Sequence, residues 1–112
     1  MGKGEHLGEL EELVLLTVGS LHNQAYGVTI MDEIKNQTQR ELNVSAVHAV
    51  LKRLQTKNYL KSWMGGATQE RGGRRKRYFS LTALGKKALD ASMRYRMELY
   101  NRIPDVAYNF SY

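Results

Sequence analysis

Cysteine is absent from this 112-residue sequence, which excludes a disulfide scaffold, thiolate zinc sites and thiol catalysis. No apolar run approaches the ~20 residues that a membrane span needs, and no apolar secretory segment occurs at the N-terminus. Apolar residues make up 42% of the chain and charged residues 25%, which are ordinary values for a globular domain. We therefore expect one compact cytoplasmic domain with room for one additional helix.

The sequence also lacks a recognisable arrangement of catalytic or metal-binding residues. Its three histidines, His6, His22 and His48, are scattered over different predicted elements. No HExxH motif, grouped carboxylates, nucleophile–base pair or phosphate-binding loop accompanies them. We expect no enzymatic activity, no catalytic residues, no metal and no cofactor.

Positive charge is concentrated in one part of the chain. The net charge is +6 overall, and the excess lies mainly in residues 59–81, where five of the seven residues from 71 to 77 are cationic. Cations at this density repel one another unless an anion is nearby, and phosphate is the commonest biological anion. A solvated surface loop is the alternative interpretation.

Apolar spacing predicts four helices. The first, at 9–21, is apolar on more than one side and is expected to be the central core helix. Ser45 is the expected N-cap of the third helix, and Thr82 that of the fourth. Asn58 can take the left-handed conformation that ends a helix, and Pro104 enforces a stop. The second helix is predicted to begin at 25 and to end in the polar residues 36–39, and the fourth to span 83 to about 103.

The third predicted helix has an apolar and an unusual polar face. Val47, Val50, Leu51 and Leu54 form the expected core stripe. The opposite face combines small, hydrogen-bonding and cationic side chains, which are Ser45, Ala49, Lys52 and Thr56, flanked by His48 and Arg53. Small residues permit close approach to a partner, and the others can contact base edges and phosphates.

Two β-type runs at 59–64 and 75–81 follow, and the connection between them has a glycine pair near each end. The order helix, helix, helix, hairpin, helix describes a mainly α fold with a small β-hairpin, the winged helix-turn-helix. In that fold the third helix enters the DNA major groove. An arginine-rich hairpin beside it can lie over the backbone or insert an arginine into the minor groove.

Residues 7–89 resemble the PadR-like family of bacterial winged-helix transcriptional regulators. The resemblance is carried by residues 7–15 (LGELEELVL), 25–28 (AYGV), 44–47 with 51–54 (VSAV, LKRL) and, most specifically, 68–85 (TQERGGRRKRYFSLTALG). It implies a dimeric cytoplasmic repressor that binds DNA and often responds to a small molecule or a stress signal. Two positions depart from the family's pattern. His48 stands where many relatives carry Tyr, and Asn58 stands where a Gly is common. The first change puts the preferred operator sequence in doubt, since His and Tyr offer different hydrogen-bonding groups.

The fourth helix carries apolar residues over a wide arc, in two stripes. One consists of Leu84, Ala88, Ala91 and Tyr95, and the other of Leu89, Met93, Met97 and Tyr100. A helix on a small domain buries only one stripe, so the second predicts a homodimer interface at Leu89, Met93, Met97 and Tyr100. The alternative is that the C-terminal tail folds back over it. Trp63, Tyr95 and Tyr100 are candidates for a pocket that binds a flat aromatic effector.

These observations predict a DNA-binding domain at 1–81, a dimerisation helix at 82–104 and a tail at 105–112. We expect a regulator that binds a palindromic operator in double-stranded DNA. The alternative is a winged-helix module for RNA or protein contacts. The expected DNA-contacting residues are Ser45, Ala46, His48, Ala49, Lys52, Arg53, Arg71, Gly72, Gly73, Arg74, Arg75, Lys76 and Arg77.

Overall fold

The computed structural model of the chain describes residues 6–65 and 75–105. Its elements confirm the predicted fold class, with four helices and one antiparallel hairpin. A short 3-10 turn at His22–Gln24 separates the first two helices. In chain order the elements are α1 (Glu9–Leu21), α2 (Gly27–Thr38), α3 (Val44–Thr56), β1 (Leu60–Met64), β2 (Arg77–Leu81) and α4 (Ala83–Asn101).

The loop residues Arg71, Gly72, Gly73 and Arg74 and the tail beyond Asp105 lie outside the described residues. Of the helices that the structure describes, none combines the length and the apolar character needed to cross a membrane. The division of the chain into domains at 81/82 stays a prediction.

Helix α1 is the centre of the domain, as its sequence predicts. Val14, Leu15 and Val18 are almost completely buried, and α1 packs against α2, α3, α4 and β2. Each aliphatic side chain buried in this way contributes about 1.5–3 kcal/mol. The inward stripe of α3 completes this core, because Val47, Val50, Leu51 and Leu54 are all buried.

The N-cap of α3 differs from the prediction. Asn43 caps the helix, because its Oδ1 accepts hydrogen bonds from the backbone N–H groups of Ser45 (2.7 Å) and Ala46 (3.4 Å). Ser45 therefore lies inside the first turn. Asparagine and serine cap helices about equally well, so the residue types alone favour neither position.

The end of α3 confirms the left-handed role of Asn58, whose φ is 67°. Its N–H donates to the carbonyl of Gln55, and the N–H of Tyr59 donates to the carbonyl of Leu54, both at 2.9 Å. This pair of hydrogen bonds is the Schellman motif. Because the motif uses the N–H of Tyr59, strand β1 begins one residue later than predicted.

The hairpin pairs Lys61 with Ser80 and Trp63 with Tyr78, so these side chains share one face. A third extended segment borders β2, since the Phe79 N–H donates to the Ala25 carbonyl at 2.9 Å and Tyr26 forms a bridge with Tyr78. The hairpin is thereby anchored to the start of α2.

Helix α4 begins as predicted, because the Oγ1 of Thr82 accepts a hydrogen bond from the Gly85 N–H at 2.9 Å. Gly85 lies so close to the Tyr59 carbonyl that a Cβ would overlap it. This contact fixes the rotation of α4, so that Gly85, Leu89 and Ser92 face inward.

That rotation corrects the predicted stripes of α4. Leu89 is only 5% exposed and belongs to the core of its own domain, not to an exposed interface stripe. Leu84, from the other stripe, is exposed, as are Tyr95, Met97 and Tyr100. The missed constraint is the Tyr59–Gly85 contact, which involves residues distant in sequence.

Candidate nucleic-acid interface

One side of α3 is open to solvent. We call the exposed residues Ser45, His48, Ala49, Lys52 and Thr56 the α3 face. Ala46, which was also expected to contact DNA, is half-buried at its margin. The members of the α3 face are small, polar or cationic, and the exposed Val44 lies at its margin, four residues before His48.

The hairpin adjoins one edge of the α3 face through Ser62. Its Oγ accepts a hydrogen bond from Gln55 Nε2 of α3 at 2.9 Å and another from Arg77 Nη1 of β2 at 3.0 Å. One hydroxyl thus joins α3 to both strands of the hairpin. The exposed helix face and the cationic hairpin therefore lie side by side.

His48 lies on the same edge, where α3 passes the start of α2. A Cβ added to Gly27 would sit 3.6 Å from His48 Cε1, an ordinary van der Waals separation. The imidazole therefore packs against the first turn of α2 while His48 stays exposed. An alanine at position 27 would therefore contact this ring without crowding it.

The opposite edge of α3 is held by a buried carboxylate. Glu11 Oε2 of α1 accepts hydrogen bonds from Arg53 Nε and Lys57 Nζ, each at 3.0 Å. Burial raises the pKa of Glu11, but the Gly8 N–H, Lys57 and Arg53 outweigh burial and hold this pKa below its ordinary value. Arg53 was expected to contact DNA, yet its Nε is committed to Glu11 while 52% of its side chain stays exposed.

The described part of the hairpin retains three of the expected cations. Arg75 Nε donates to the Gly65 carbonyl at 3.3 Å, and Lys76 Nζ lies 4.8 Å from the centre of the Tyr26 ring. Arg77 is held by Ser62, as described above. Arg75 and Arg77 are exposed and Lys76 is half-buried, so the base of the hairpin presents cations beside the α3 face.

The aromatic residues expected to line an effector pocket lie on different elements. Trp63 stacks on Tyr78 in the hairpin, with ring centres 5.9 Å apart, whereas Tyr95 and Tyr100 are exposed on α4. A cavity of 290 Å³ is formed by the described residues, but none of these three lines it. Trp63 stays 39% exposed despite this stacking, and the effector pocket stays a prediction.

Sequence reasoning missed the structural role of the acidic residues in α1. Glu12 Oε2 accepts hydrogen bonds from Ser92 Oγ and from Arg96 Nε (3.1 Å), both on α4. Together with Glu11, it joins α1 to α3 on one side and α4 on the other. Acidic residues in a first turn ordinarily complement the helix dipole, whereas these two also bind side chains of other helices. One signal in the sequence could have indicated this role. Glu11 lies four residues before Leu15 and so shares a helix face with a predicted core residue.

Within residues 6–65 and 75–105, no three His, Asp or Glu side chains are grouped so that they could hold a metal ion.

Comparisons with known proteins agree with this geometry. A family model described as the transcriptional regulator PadR-like family matches residues 14–91. A solved PadR family transcription regulator from hypervirulent Clostridium difficile is 26% identical, with 85% of this chain and 97% of that chain covered and a TM-score of 0.69. A PadR-like transcriptional regulator from Bacillus cereus shares the fold at 13% identity, with 90% and 93% covered and a TM-score of 0.72. No curated protein sequence matches significantly.

Proposed function

The chain belongs to the PadR-like family of transcriptional regulators, and from that premise we propose that it is a homodimeric repressor of a palindromic operator, released by a small-molecule or stress signal. The family's members regulate transcription by binding DNA and are not enzymes. The RNA- or protein-binding alternative has no observation in its favour. We place the repressor in the cytoplasm, where a bacterial operator lies.

The hydrogen bonds of Ser62 to Gln55 and Arg77 carry the proposal, because they hold the α3 face beside the cationic hairpin. A single α-helix fits the major groove of B-DNA, which is about 12 Å wide. The small residues Ser45 and Ala49 permit close approach. His48 then reaches base edges, and Lys52 reaches a phosphate or a guanine.

The hairpin supplies the phosphate contacts beside the groove. Arg75, Lys76 and Arg77 lie at its base, and Arg71 and Arg74 belong to the same cationic segment of the sequence. We assign them to the DNA backbone and the adjacent minor groove, whose negative potential attracts arginine. Arg53 contacts a phosphate with the exposed part of its side chain while Nε stays on Glu11.

The dimer proposal is supported by the C-terminal half of α4. Its last turns extend past the buried residue Ser92 and expose the large apolar side chains Tyr95, Met97, Leu99 and Tyr100, and Ile103, just after the helix, is exposed as well. Apolar exposure of this kind marks an interaction surface. A second copy that covers Met97 and Tyr100, with the half-buried Met93 at the margin, would place two α3 helices about 34 Å apart, one turn of DNA.

Selection of duplex DNA from a random pool, followed by fluorescence anisotropy on the selected fragment, tests the proposal. We expect a palindrome, and a loss of affinity of about 10³-fold or more between 50 and 200 mM salt if the dimer neutralises about 6–8 phosphates. Single-stranded RNA of the same length serves as the competitor. Recovery of no common duplex sequence, or equal competition by the RNA, would contradict the proposal.

A further inference from the structure

A cavity of 290 Å³ lies where the end of α1, the 3-10 turn and the hairpin meet. Lys61 and Ser80 face it from paired positions on β1 and β2. Ser62, which contacts α3, points to the opposite face of the hairpin because successive strand residues alternate. The cavity is therefore separate from the α3 face. Its lining residues are Val18, Gly19, His22, Asn23, Lys61, Ser80 and Leu81.

Ser80 lines this cavity and carries an unsatisfied hydroxyl. Its Oγ is shielded from solvent and has no hydrogen-bond partner among the described residues. A buried polar group without a partner destabilises the folded state, and such groups in native proteins usually mark the position of a water or a ligand. The orphaned hydroxyl is the first indication that the cavity is a binding site.

The other polar groups around the cavity favour an anion. Lys61 contributes a positive charge, and His22 and Asn23 contribute side chains that can donate hydrogen bonds. None of the cavity's described lining residues is acidic. Lys61 is exposed, so its flexible side chain can move aside to admit a ligand and then pair with it.

His22 lines the cavity in an unusual backbone conformation. Its φ is 54° and its ψ is −126°, a region that residues other than glycine rarely occupy. The structure therefore keeps a histidine at a position where glycine would be less strained. Strain retained in this way is common at binding sites.

We propose that this cavity binds the oxyanion of a small metabolite with a short aliphatic body. Lys61 pairs with the oxyanion, Ser80 donates to it once its hydroxyl has rotated toward the cavity, and Val18 and Leu81 contact the aliphatic part. A volume of 290 Å³ is at the lower limit of ligand pockets, which favours a small molecule. His22 is the only ring among the described lining residues, so the walls are suited to an aliphatic body.

Occupancy would join the hairpin to the end of α1 and so change the affinity for DNA. This regulatory consequence rests on the proposed operator binding. By linkage, an anion that changes operator affinity by some factor has its own affinity changed by the same factor when DNA is bound.

The binding step is tested on the full chain by amide NMR titration with three molecules of similar shape. These are isovalerate, which is anionic, isovaleramide, which is neutral, and 3-methylbutylammonium, which is cationic, all at constant ionic strength. We expect isovalerate alone to shift the amides of His22, Lys61 and Ser80. Lys61→Gln should weaken this binding by about 10- to 100-fold, and Lys87→Gln, the control on α4, should not. Equal shifts from all three probes, or shifts confined to other residues, would overturn the proposal.

Ser80→Ala provides an independent test, because it should make the free protein more stable and its binding of the anion weaker. It removes the orphaned hydroxyl, so the unfolding temperature of the free protein should rise, while the affinity for isovalerate should fall about tenfold. An unchanged affinity for isovalerate would show that the hydroxyl does not serve an anion. A lower unfolding temperature would show that it already has a partner, such as a water, and would also reject the site.

Measuring operator binding in the absence of the anion distinguishes a failure of the operator proposal from a failure of the anion-site proposal. If the chain binds isovalerate but selects no duplex, the operator proposal fails and the anion site stands. If it binds the operator but isovalerate does not bind at the cavity, the anion site fails alone. When both hold, isovalerate should change the Kd for the operator in the wild type and not in Lys61→Gln.

Discussion

Ser62 is a small residue on which two larger side chains depend. Gln55 and Arg77 both donate to its Oγ, so its loss leaves both donors without that acceptor. Sequence reasoning placed the hairpin beside α3 from the order of the elements alone. It could not identify Ser62, because no sequence pattern marks a strand serine that accepts hydrogen bonds from two other elements.

Ser62→Ala should therefore reduce operator affinity by about tenfold while lowering the free energy of unfolding by only about 1 kcal/mol. The reason is that β1 and β2 keep their backbone pairing, while the hairpin loses this side-chain connection to α3. Anisotropy titration and urea unfolding measure the two effects. Ser20→Ala, whose hydroxyl bonds within α1, is the control and should leave operator affinity unchanged.

His48 and Arg74 should have different effects on DNA recognition. His48→Ala should change which operator sequence is selected, because His48 lies on the α3 face and can contact base edges. Arg74→Ala should weaken binding to all duplexes and reduce the slope of affinity against salt by about two, because the proposed dimer loses one phosphate contact in each protomer. Selection and salt titration of both variants check this. The reverse assignment of effects would show that α3 and the hairpin have been given the wrong roles.

The choice of α3's N-cap shows a limit of residue-level prediction. Asn43 and Ser45 are both good caps, two residues apart, and the structure uses Asn43. By contrast, the role of Asn58 followed from its residue type, because few residues other than glycine tolerate a positive φ.

At the scale of elements, α1 joins the two helices that the proposed function requires. Glu11 binds Arg53 and Lys57 of α3, while its neighbour Glu12 binds Ser92 and Arg96 of α4. Periodicity predicted α1 as the core helix because its apolar residues recur at helical spacing. It could not predict these ion pairs, since their partners are 42 to 84 residues away in sequence.

Glu11→Gln should lower the free energy of unfolding at pH 7 by about 1–3 kcal/mol, because it removes a buried charge from two cations. The folded pKa of Glu11 is depressed, so its stabilising effect is complete above the ordinary glutamate pKa of about 4.3 and is lost as the pH falls through the lower folded pKa. Urea unfolding from pH 7 to 3 should show the difference between variant and wild type shrinking below about pH 4.

Glu9→Gln is the matched control for this experiment. Glu9 pairs with Arg40, and both side chains are largely exposed, so its replacement should cost less than about 1 kcal/mol. A gap between Glu11→Gln and the wild type that stays constant down to pH 3 would contradict the role given to the carboxylate.

Gly85 controls how α4 meets the rest of the domain. Gly85→Ala should lower the free energy of unfolding by about 1–3 kcal/mol or more, because its Cβ would overlap the Tyr59 carbonyl. Gly8→Ala is the control, since the nearest atom to its added Cβ is 3.8 Å away. Urea unfolding of both should separate them, and equal stability would show that α4 packs less closely than described.

At the scale of the whole molecule, the exposed end of α4 determines the proposed assembly. The combined Met97→Gln and Tyr100→Gln variant should sediment as a monomer at micromolar concentration and bind the operator at least about tenfold more weakly. Leu84→Gln changes an exposed apolar residue near the other end of α4 and should stay dimeric. A wild type that sediments only as a monomer would remove the dimer from the proposal.

The architecture of the molecule could be predicted because each element has a local signal. The apolar spacing of α1, the inward stripe of α3 and the Thr82 cap all depend on residues close in sequence. The rotation of α4 could not be predicted, because the contact between Gly85 and Tyr59 that fixes it is a tertiary one. The burial of Leu89 follows from that contact.

Tyr59 stands at the point where three parts of the protein meet. Its N–H closes the end of α3, its carbonyl accepts the Thr82 N–H at 3.1 Å, and the same carbonyl abuts Gly85 of α4. These contacts tie the end of α3 to the start of α4. In the proposed dimer, a change of a few degrees in the angle between the paired α4 helices would therefore change the spacing of the two α3 helices. Operators whose major grooves match that spacing would be bound, and others would be rejected.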